Sequence, residues 1–249
     1  MSAQAPPAAG CLYVVATPIG HRDDLSARAI DTLRRADRIA CEDTRHSAPL
    51  LALVGAGAPA VALHEHNEAQ AAAGLVERMR GGERIALISD AGTPLVSDPG
   101  YRLVQAAIAA GVRVVPIPGA SAPIAALSVS GLASDRFSFE GFLPTKPGAR
   151  REVFQALVDD SRTLIFFEAK HRIVESLADA VTVFGGERRA AIARELTKLH
   201  ETILRGSLTE LQARVAADPE QQLGEFVLLI AGADRDRVTA RKERDAITL

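Results

Sequence analysis

Short runs of β-branched and apolar residues alternate with stretches of helical periodicity through the first half of the chain. The apolar runs predict five strands, at residues 12–16, 38–41, 60–63, 84–89 and 112–117. Helical spacing predicts the connecting helices at residues 26–35, 46–54, 69–80, 98–110 and 121–129, and Asp98-Pro99 is expected to begin the fourth. Connections of this kind produce a mostly parallel sheet with helices on both faces.

The pattern changes near Gly131. Strands are now predicted at residues 137–141, 163–168, 190–195, 201–205 and 225–231, and helices at residues 150–158, 172–183 and 208–217. The third and fourth of these strands are separated by only a few residues, which suits an antiparallel pair. We therefore expect an N-terminal α/β domain over residues 11–132 and a C-terminal α+β domain with a mixed sheet over residues 133–233. A disordered tail at residues 1–10 and a charged tail at residues 234–249 are expected to flank them.

Composition excludes several classes of protein. The chain has 249 residues, of which 47% are hydrophobic, and this is the usage of a globular protein rather than a disordered one. Lys plus Arg minus Asp plus Glu gives 29 − 31 = −2, so no overall basic charge indicates a nucleic-acid partner. The two cysteines, Cys11 and Cys41, form no CxxC motif, and a reducing cytoplasm is the expected compartment. The uncharged run at residues 114–133 contains three prolines and is a poor membrane span.

Three loops rich in small residues and proline follow predicted strands. They read ATPIG at residues 16–20, SDAGTPLVSDPG at residues 89–100 and IPGASA at residues 117–122. In open α/β sheets, ligands bind beyond the carboxyl ends of the strands, and such loops allow backbone groups to approach a ligand closely. The stretch GAGAPA at residues 55–60 fits a dinucleotide motif by its letters, but it follows a helix and precedes a strand. It is interpreted as a helix stop.

A metal site is not predicted. His64-Glu65-His66 could place two imidazoles on one side of an extended segment, with Glu68 nearby. A metal site usually needs a third firm ligand at suitable spacing, and none is apparent. The segment is interpreted as a polar loop.

Charged groups near the predicted edge of the sheet leave two interpretations open. Glu42-Asp43-Thr44-Arg45 directly follows the second strand, and either caps a helix with a surface ion pair or polarises a substrate. ARELTK at residues 193–198 poses the same choice. Two basic clusters either bind phosphates or form a solvated face. One contains Lys146, Arg150 and Arg151 in a loop, and the other contains Arg188, Arg189, Arg194, Lys198 and Arg205.

Seven blocks together resemble the tetrapyrrole methylase superfamily, and within it the branch that methylates small-subunit ribosomal RNA. They are TPIG, EDTR, SDAGTPLVSDPG, PGASA, FEGFLP, FEAKHR and ARELTK, and they extend from about Leu12 to Gly232. His21 stands where that family usually has Asn, and Ala120 stands where it usually has Pro.

The resemblance implies two α/β domains with S-adenosylmethionine in the cleft between them, usually in a homodimer. It implies methyl transfer to the ribose 2′-hydroxyl of a cytidine in the decoding region. The cofactor contacts carried over from the family are Pro18, Asp90, Ala91, Gly92, Thr93, Ser121, Ala122, Glu168 and Leu196.

Methyl transfer to a ribose hydroxyl needs a base or a cationic stabiliser, because the hydroxyl is a weak nucleophile. Glu42, Asp43 and Arg45 are the catalytic candidates, and Lys146, Arg150, Arg151, Arg194 and Lys198 are the candidates for substrate binding. With a net charge of −2, the expected substrate is small-subunit RNA in an assembled particle rather than a naked strand.

Three other functions stay open from the sequence. A tetrapyrrole C-methyltransferase on the same fold would share the cofactor loops but lack the EDTR and ARELTK blocks. A non-catalytic RNA-binding module in ribosome assembly would not bind S-adenosylmethionine. A metal-dependent hydrolase built on His64-Glu65-His66 would lose activity in the presence of a chelator.

Overall fold

A computed structural model describes residues 10–64 and 67–234 of the chain. It divides into two compact units, one ending at Ser121 and the other beginning at Ala122. The helix Ala122–Ser130, which the sequence analysis assigns to the N-terminal domain, packs against strands of the second unit. The predictions for the tails at residues 1–9 and 235–249 lie outside the described residues.

The first unit is a five-stranded sheet in the order β3-β2-β4-β1-β5, and every strand pair in it is parallel. The prediction of a parallel sheet is therefore confirmed. Its strands are β1 Cys11–Val15, β2 Arg38–Cys41, β3 Ala60–Ala62, β4 Arg84–Leu87 and β5 Arg113–Ile117. Its helices are α1 Ala27–Arg35, α2 Thr44–Val54, α3 Glu68–Arg80 and α4 Tyr101–Ala109, with a short 3₁₀ turn at Arg22–Asp24.

Alternate side chains of the strands fill two hydrophobic clusters, one on each face of this sheet. Along β4, Ile85 and Leu87 join one cluster, whereas Ala86 joins the other. Burial of each Leu or Ile side chain contributes about 1.5–3 kcal/mol, so both helical layers are held to the sheet. Gly55 adopts a left-handed conformation and ends α2, which confirms that this stretch is a helix stop.

The second unit contains a mixed sheet in the order β6-β7-β10-β8-β9. Its strands are β6 Phe137–Phe142, β7 Thr163–Ala169, β8 Arg189–Arg194, β9 Thr202–Ser207 and β10 Glu225–Ile230. Its helices are α5 Ala122–Ser130, α6 Pro147–Leu157, α7 Ile173–Phe184 and α8 Leu208–Ala217, with a 3₁₀ turn at Pro219–Gln222. The predicted antiparallel pair is confirmed as β8 with β9. Side chains of α5 join the cluster on one face of the sheet, and side chains of α6, α7 and α8 join the cluster on the other.

Two predicted helix starts are wrong. Helix α4 begins at Tyr101 rather than at Asp98-Pro99, because Gly100 is its N-cap residue with φ +126° and the preceding residues belong to the loop. Helix α6 begins at Pro147 rather than at Arg150, since proline is well suited to the first helical position. Arg150 and Arg151 therefore lie in a helix and not in the predicted loop.

Within the described residues, no helix is long and apolar enough to cross a membrane, and the uncharged run at residues 114–133 is divided between β5, a turn and α5. Cys11 and Cys41 are both free and buried. No group of three or more possible metal ligands occurs in residues 10–64 and 67–234. Glu65 and His66 lie outside the described residues.

Candidate active site

The three loops predicted to form a ligand site meet at the carboxyl edge of the first sheet. They follow β1, β4 and β5, which are neighbours in the sheet. The backbone N–H of Thr17 donates to the carbonyl of Gly92 at 2.8 Å, and the Thr93 hydroxyl donates to the carbonyl of Ala120 at 2.9 Å. These bonds connect the β4 loop to each of the other two.

The junction between the first two loops is buried and rigid. The hydroxyl of Thr17, which is almost fully buried, donates to the carbonyl of Ser89 at 3.1 Å. The Ser89 hydroxyl in turn donates to the carbonyl of Gly92 at 3.1 Å. Buried polar groups with partners fix one arrangement of the backbone, so these side chains hold the turn at residues 89–93 in shape.

Two glycines are required where the loops approach one another. A Cβ atom on Gly119 would lie 2.8 Å from the Cβ of Ala16, which is too close for any side chain. Gly92 has φ +86°, and a Cβ there would lie 3.0 Å from Cγ2 of Ile19. The packing of the loops against one another therefore favours glycine at both positions.

The rest of the β4 loop contains strained backbone. Leu95 and Ser97 adopt positive φ angles of 73° and 65°, although neither is glycine. Such conformations cost free energy, and in folded proteins they cluster at functional sites. The strain therefore agrees with a functional role for residues 89–100.

Asp90 presents a buried polar atom without a partner. Its Oδ1 is inaccessible to solvent and accepts no hydrogen bond from any described residue. An unsatisfied buried carboxylate oxygen is costly, and a polar donor on a bound ligand would remove that cost. An oxygen of this kind suits a polar donor on the ligand that the sequence predicts at this loop.

Asp98 is a functional candidate that the sequence reasoning missed, because it was interpreted as a helix cap. Burial, together with the negative charges of Glu42 and Asp90, raises the pKa of the Asp98 carboxyl to about 6, although a hydrogen bond with Ser89 opposes this rise. Gly100, the N-cap residue of α4, stands two residues after Asp98. This glycine is the sequence signal that Asp98 is not itself the helix cap. Glu42, which follows β2, and Asp98, which lies in the loop after β4, are thus near one another.

Asp43 and Arg45 cap helix α2 and form a surface ion pair, which is one of the two interpretations of EDTR. The Asp43 carboxylate caps α2 by accepting from the Arg45 backbone N–H at 2.8 Å, and it pairs with the Arg45 guanidinium at 3.0 Å. The hydrogen bond from the Arg45 side chain lowers the pKa of Asp43 to about 2, so this carboxylate is a poor base. The Arg45 side chain is 90% exposed.

In the second unit, Glu168 lies near the end of β7, and Leu196 lies two residues beyond the end of β8. Both β7 and β8 run antiparallel to β10, and Phe226 of β10 is paired with Glu168 on one side and with Arg194 on the other. Leu196 and Ala122 pack against the same hydrophobic cluster.

Glu168 is only 2% exposed, and its carboxylate already accepts hydrogen bonds from three neighbouring groups. It accepts from the Ala169 N–H at 2.7 Å, from Nε of Arg172 at 2.8 Å and from the Ser176 hydroxyl. These partners fix the turn at residues 169–172, so the carboxylate orders the FEAKHR segment of the second unit.

Two of the five residues predicted to bind substrate, Arg150 and Arg194, are buried and have partners inside the second unit. Arg150 is 0% exposed, and its guanidinium lies 2.6 Å from the Asp179 carboxylate of α7. Arg194 is also buried, and it donates to the carbonyls of Leu223 at 2.7 Å and His200 at 3.0 Å. Both guanidiniums thus have partners inside the unit, and their role toward RNA stays a prediction.

The other three predicted substrate-binding residues keep some exposure. Lys198 pairs with the Glu195 and Glu225 carboxylates at 3.0 and 2.8 Å. Arg151 is half-exposed and pairs with Asp179 at 2.9 Å, and Lys146 is exposed at the start of α6. Positive charge at the surface is therefore smaller than the sequence clusters suggest.

Comparisons with known proteins identify the family. The model of the tetrapyrrole (corrin/porphyrin) methylases matches residues 11–212. The chain is 57% identical over 228 residues to a ribosomal RNA small subunit methyltransferase I from Xylella fastidiosa, covering 91% of this chain and 84% of that protein. It is 58% identical over 224 residues to the protein of the same name from Pseudomonas aeruginosa, covering 90% and 79% of the two chains. The chain belongs to this methyltransferase family.

The fold is shared more widely among methylases. The crystal structure of a uroporphyrin-III-C-methyltransferase from Thermus thermophilus superposes with a TM-score of 0.62 at 21% identity, covering 89% of this chain and 94% of that one. Family membership makes the chain a methyltransferase that uses S-adenosylmethionine. The resemblance first identified from the seven sequence blocks is thereby confirmed.

Proposed function

We propose that the protein methylates the ribose 2′-hydroxyl of a cytidine in the decoding region of small-subunit ribosomal RNA. The observation that carries the proposal is the identity of 57% over 91% of the chain to a relative named as a ribosomal RNA small subunit methyltransferase. The family model matches residues 11–212, which include the three loops of the first unit described above. The choice of a cytidine 2′-hydroxyl follows from the resemblance of EDTR and ARELTK to that branch of the superfamily.

We propose that the β4 loop holds the cofactor, through Asp90, Ala91, Gly92 and Thr93. The unpartnered Oδ1 of Asp90 suits a hydroxyl or ammonium donor of S-adenosylmethionine. Pro18 and Ser121 lie in the loops that Thr17 and Thr93 connect to this turn. For the second unit, Ala122, Glu168 and Leu196 stay predictions from the resemblance, with Glu168 ordering its segment.

When bound, S-adenosylmethionine supplies a methyl group on a positively charged sulfur, which leaves as a neutral thioether. The protein has to hold the ribose hydroxyl in line with that methyl group and assist removal of the hydroxyl proton. Glu42 directly follows β2, and its negative charge favours proton uptake by a neighbouring carboxyl. Asp43, which is tied to Arg45, orients the exposed guanidinium so that it can meet the negative charge of the RNA.

Recognition of RNA is proposed to depend on shape as well as on charge. Lys146 and Arg151 are the exposed cations left in the first predicted cluster, and the chain as a whole has a net charge of −2. Few cations give weak, salt-sensitive binding to a free strand. We therefore propose an assembled or folded ribosomal particle as the substrate.

A homodimer is proposed from the resemblance. The side chains of Tyr101 and Ile108, which are seven residues apart on α4, are 61% and 63% exposed and lie on one face of that helix. An exposed face with large apolar side chains is the kind of surface that a second copy of the chain covers. Light scattering of the purified protein gives the oligomeric state.

Transfer of labelled methyl groups from S-adenosylmethionine tests the function. We expect label in the RNA of isolated small subunits and at least tenfold less in a short unstructured oligonucleotide of the same sequence. Label in a porphyrin precursor instead would support the tetrapyrrole C-methyltransferase. If calorimetry detects no S-adenosylmethionine binding, the chain is better explained as an RNA-binding module. Loss of activity in a chelator would point to a metal-dependent enzyme.

A further inference from the structure

We propose that Asp98 accepts the proton of the substrate hydroxyl during methyl transfer, and that Glu68 positions it. This inference rests on the proposed function, and it assigns the base of that reaction. The electron pair of the hydroxyl O–H bond forms the new O–CH₃ bond. The proton passes to the Asp98 carboxylate, and the S–CH₃ electron pair stays on sulfur, so charge and atoms balance.

Asp98 is not used as the cap of the helix that it precedes. That role is taken by Glu68 on α3, whose Oε1 accepts from the backbone N–H groups of Gly100 at 3.1 Å, Arg102 at 2.6 Å and Leu103 at 3.4 Å. Glu68 is itself buried. A short acidic residue just before a helix normally caps it, so this cap from another helix releases Asp98 for a different task.

The loop directs Asp98 toward the edge where the cofactor turn lies. Ser97, directly before it, is held at φ 65°. The Asp98 carboxyl is within hydrogen-bonding reach of the Ser89 side chain, whose hydroxyl also contacts the Gly92 carbonyl. Strained backbone at Ser97 and a carboxyl beside the turn proposed to bind S-adenosylmethionine thus occur at adjacent residues, as is common at functional sites.

The charged neighbours of Asp98 make it a better base than the other carboxylates at this edge. Glu42, from the end of β2, and Asp90, from its own loop, add negative charge that favours proton uptake. Asp43 is unsuitable because Arg45 lowers its pKa to about 2. The Cys41 thiol is buried, and burial raises its pKa, so it stays protonated at neutral pH. A carboxyl with a pKa of about 6 is ionised at pH 7 but still accepts a proton readily.

Single-turnover methyl transfer to small subunits, measured from pH 5 to pH 8.5, tests the inference. For the wild-type protein we expect the rate to rise to an inflection near pH 6 and then level off, since only the ionised carboxylate can accept the proton. Asp98→Asn is expected to lower the plateau rate about 10²-fold or more and to remove the inflection. Its affinity for S-adenosylmethionine, measured by calorimetry, should change by no more than a few fold.

Three further variants separate a base from a structural residue. Asp98→Glu restores a carboxylate and should recover part of the rate together with an inflection. Glu42→Gln removes a neighbouring negative charge and should move the inflection to lower pH without removing it. Asp31→Asn, on the exposed face of α1, is the matched control and should behave as wild type.

A positioning role predicts a different pattern for Glu68. Glu68→Ala should lower the plateau rate while keeping the pH inflection, because Asp98 is present but less well placed. Circular dichroism confirms that each variant is folded.

The inference is overturned if Asp98→Asn retains the wild-type rate and inflection, or if it loses cofactor affinity rather than rate. If the wild-type protein transfers no methyl group to small subunits, the proposed function fails and this inference fails with it. An active wild type with an active Asp98→Asn variant overturns the inference alone.

Discussion

Substitution of Asp98 by Asn is expected to stabilise the protein at neutral pH. In the folded protein the pKa of this carboxyl is about 6, against 3.8 for an unperturbed aspartate. Between these two values the folded state binds more protons than the unfolded state, so stability falls as the pH rises and then levels off above pH 6. Asparagine does not ionise and therefore avoids this loss.

The magnitude follows from the same two values. Each unit of pKa difference corresponds to about 1.4 kcal/mol, so the change from 3.8 to about 6 sets an upper limit of about 3 kcal/mol. Asp98 keeps partial contact with solvent, which screens its charged neighbours, and we therefore expect about 1–1.5 kcal/mol. For a chain of this length, that corresponds to a rise in Tm of about 3 °C.

Thermal unfolding at pH 8 and at pH 4 measures the effect. The variant should have the higher Tm at pH 8, and the difference should shrink at pH 4, where the wild-type carboxyl is largely protonated in the folded state. A gain in stability combined with a loss of activity is the signature of a residue retained for function. A lower Tm for Asp98→Asn at pH 8, or a difference that does not depend on pH, would refute the reasoning.

Three other outcomes are expected. Gly92→Val should weaken S-adenosylmethionine binding tenfold or more, about 1.4 kcal/mol, because the residue has φ +86° and no room for a side chain. Unchanged affinity in calorimetry would remove this turn from the site. Arg150→Met should lower the free energy of unfolding by about 3–5 kcal/mol, and Arg150→Met combined with Asp179→Leu should recover part of it; a fully stable single variant in urea unfolding would contradict the buried pair. Charge reversal at Lys146 and Arg151 should weaken binding to small subunits and flatten its salt dependence, with cofactor affinity intact. Binding equal to that of the wild type in a filter assay would exclude α6 from the RNA surface.

Most of the fold can be predicted from the sequence, because the apolar runs that predict strands are the residues that the structure buries. A continuous apolar run such as Ile85, Ala86 and Leu87 predicts a strand buried on both faces. The three loops are predicted from small residues and prolines directly after strands, and the structure adds that Gly92 and Gly119 have close neighbours. Apolar runs and small-residue loops depend on residues that are adjacent in the sequence, so they can be identified without knowledge of distant contacts.

Roles that depend on distant contacts were not predictable. Asp98 preceding a proline has the sequence of a helix cap, and only the fold brings Glu68 to that helix. Arg150 lies in a basic cluster of the sequence, yet one turn of helix α6 directs it to a carboxylate on α7. Charge in a sequence therefore predicts a binding surface poorly, because an internal partner can come from any other element.

Mapping of ribose methylation in small-subunit RNA, from cells with and without this protein, tests the central claim most directly. We predict that one 2′-O-methyl group, on a cytidine in the decoding region, disappears when the protein is absent. It should return with the wild-type protein and not with Asp98→Asn. An unchanged methylation map in cells that lack the protein would contradict the proposed function.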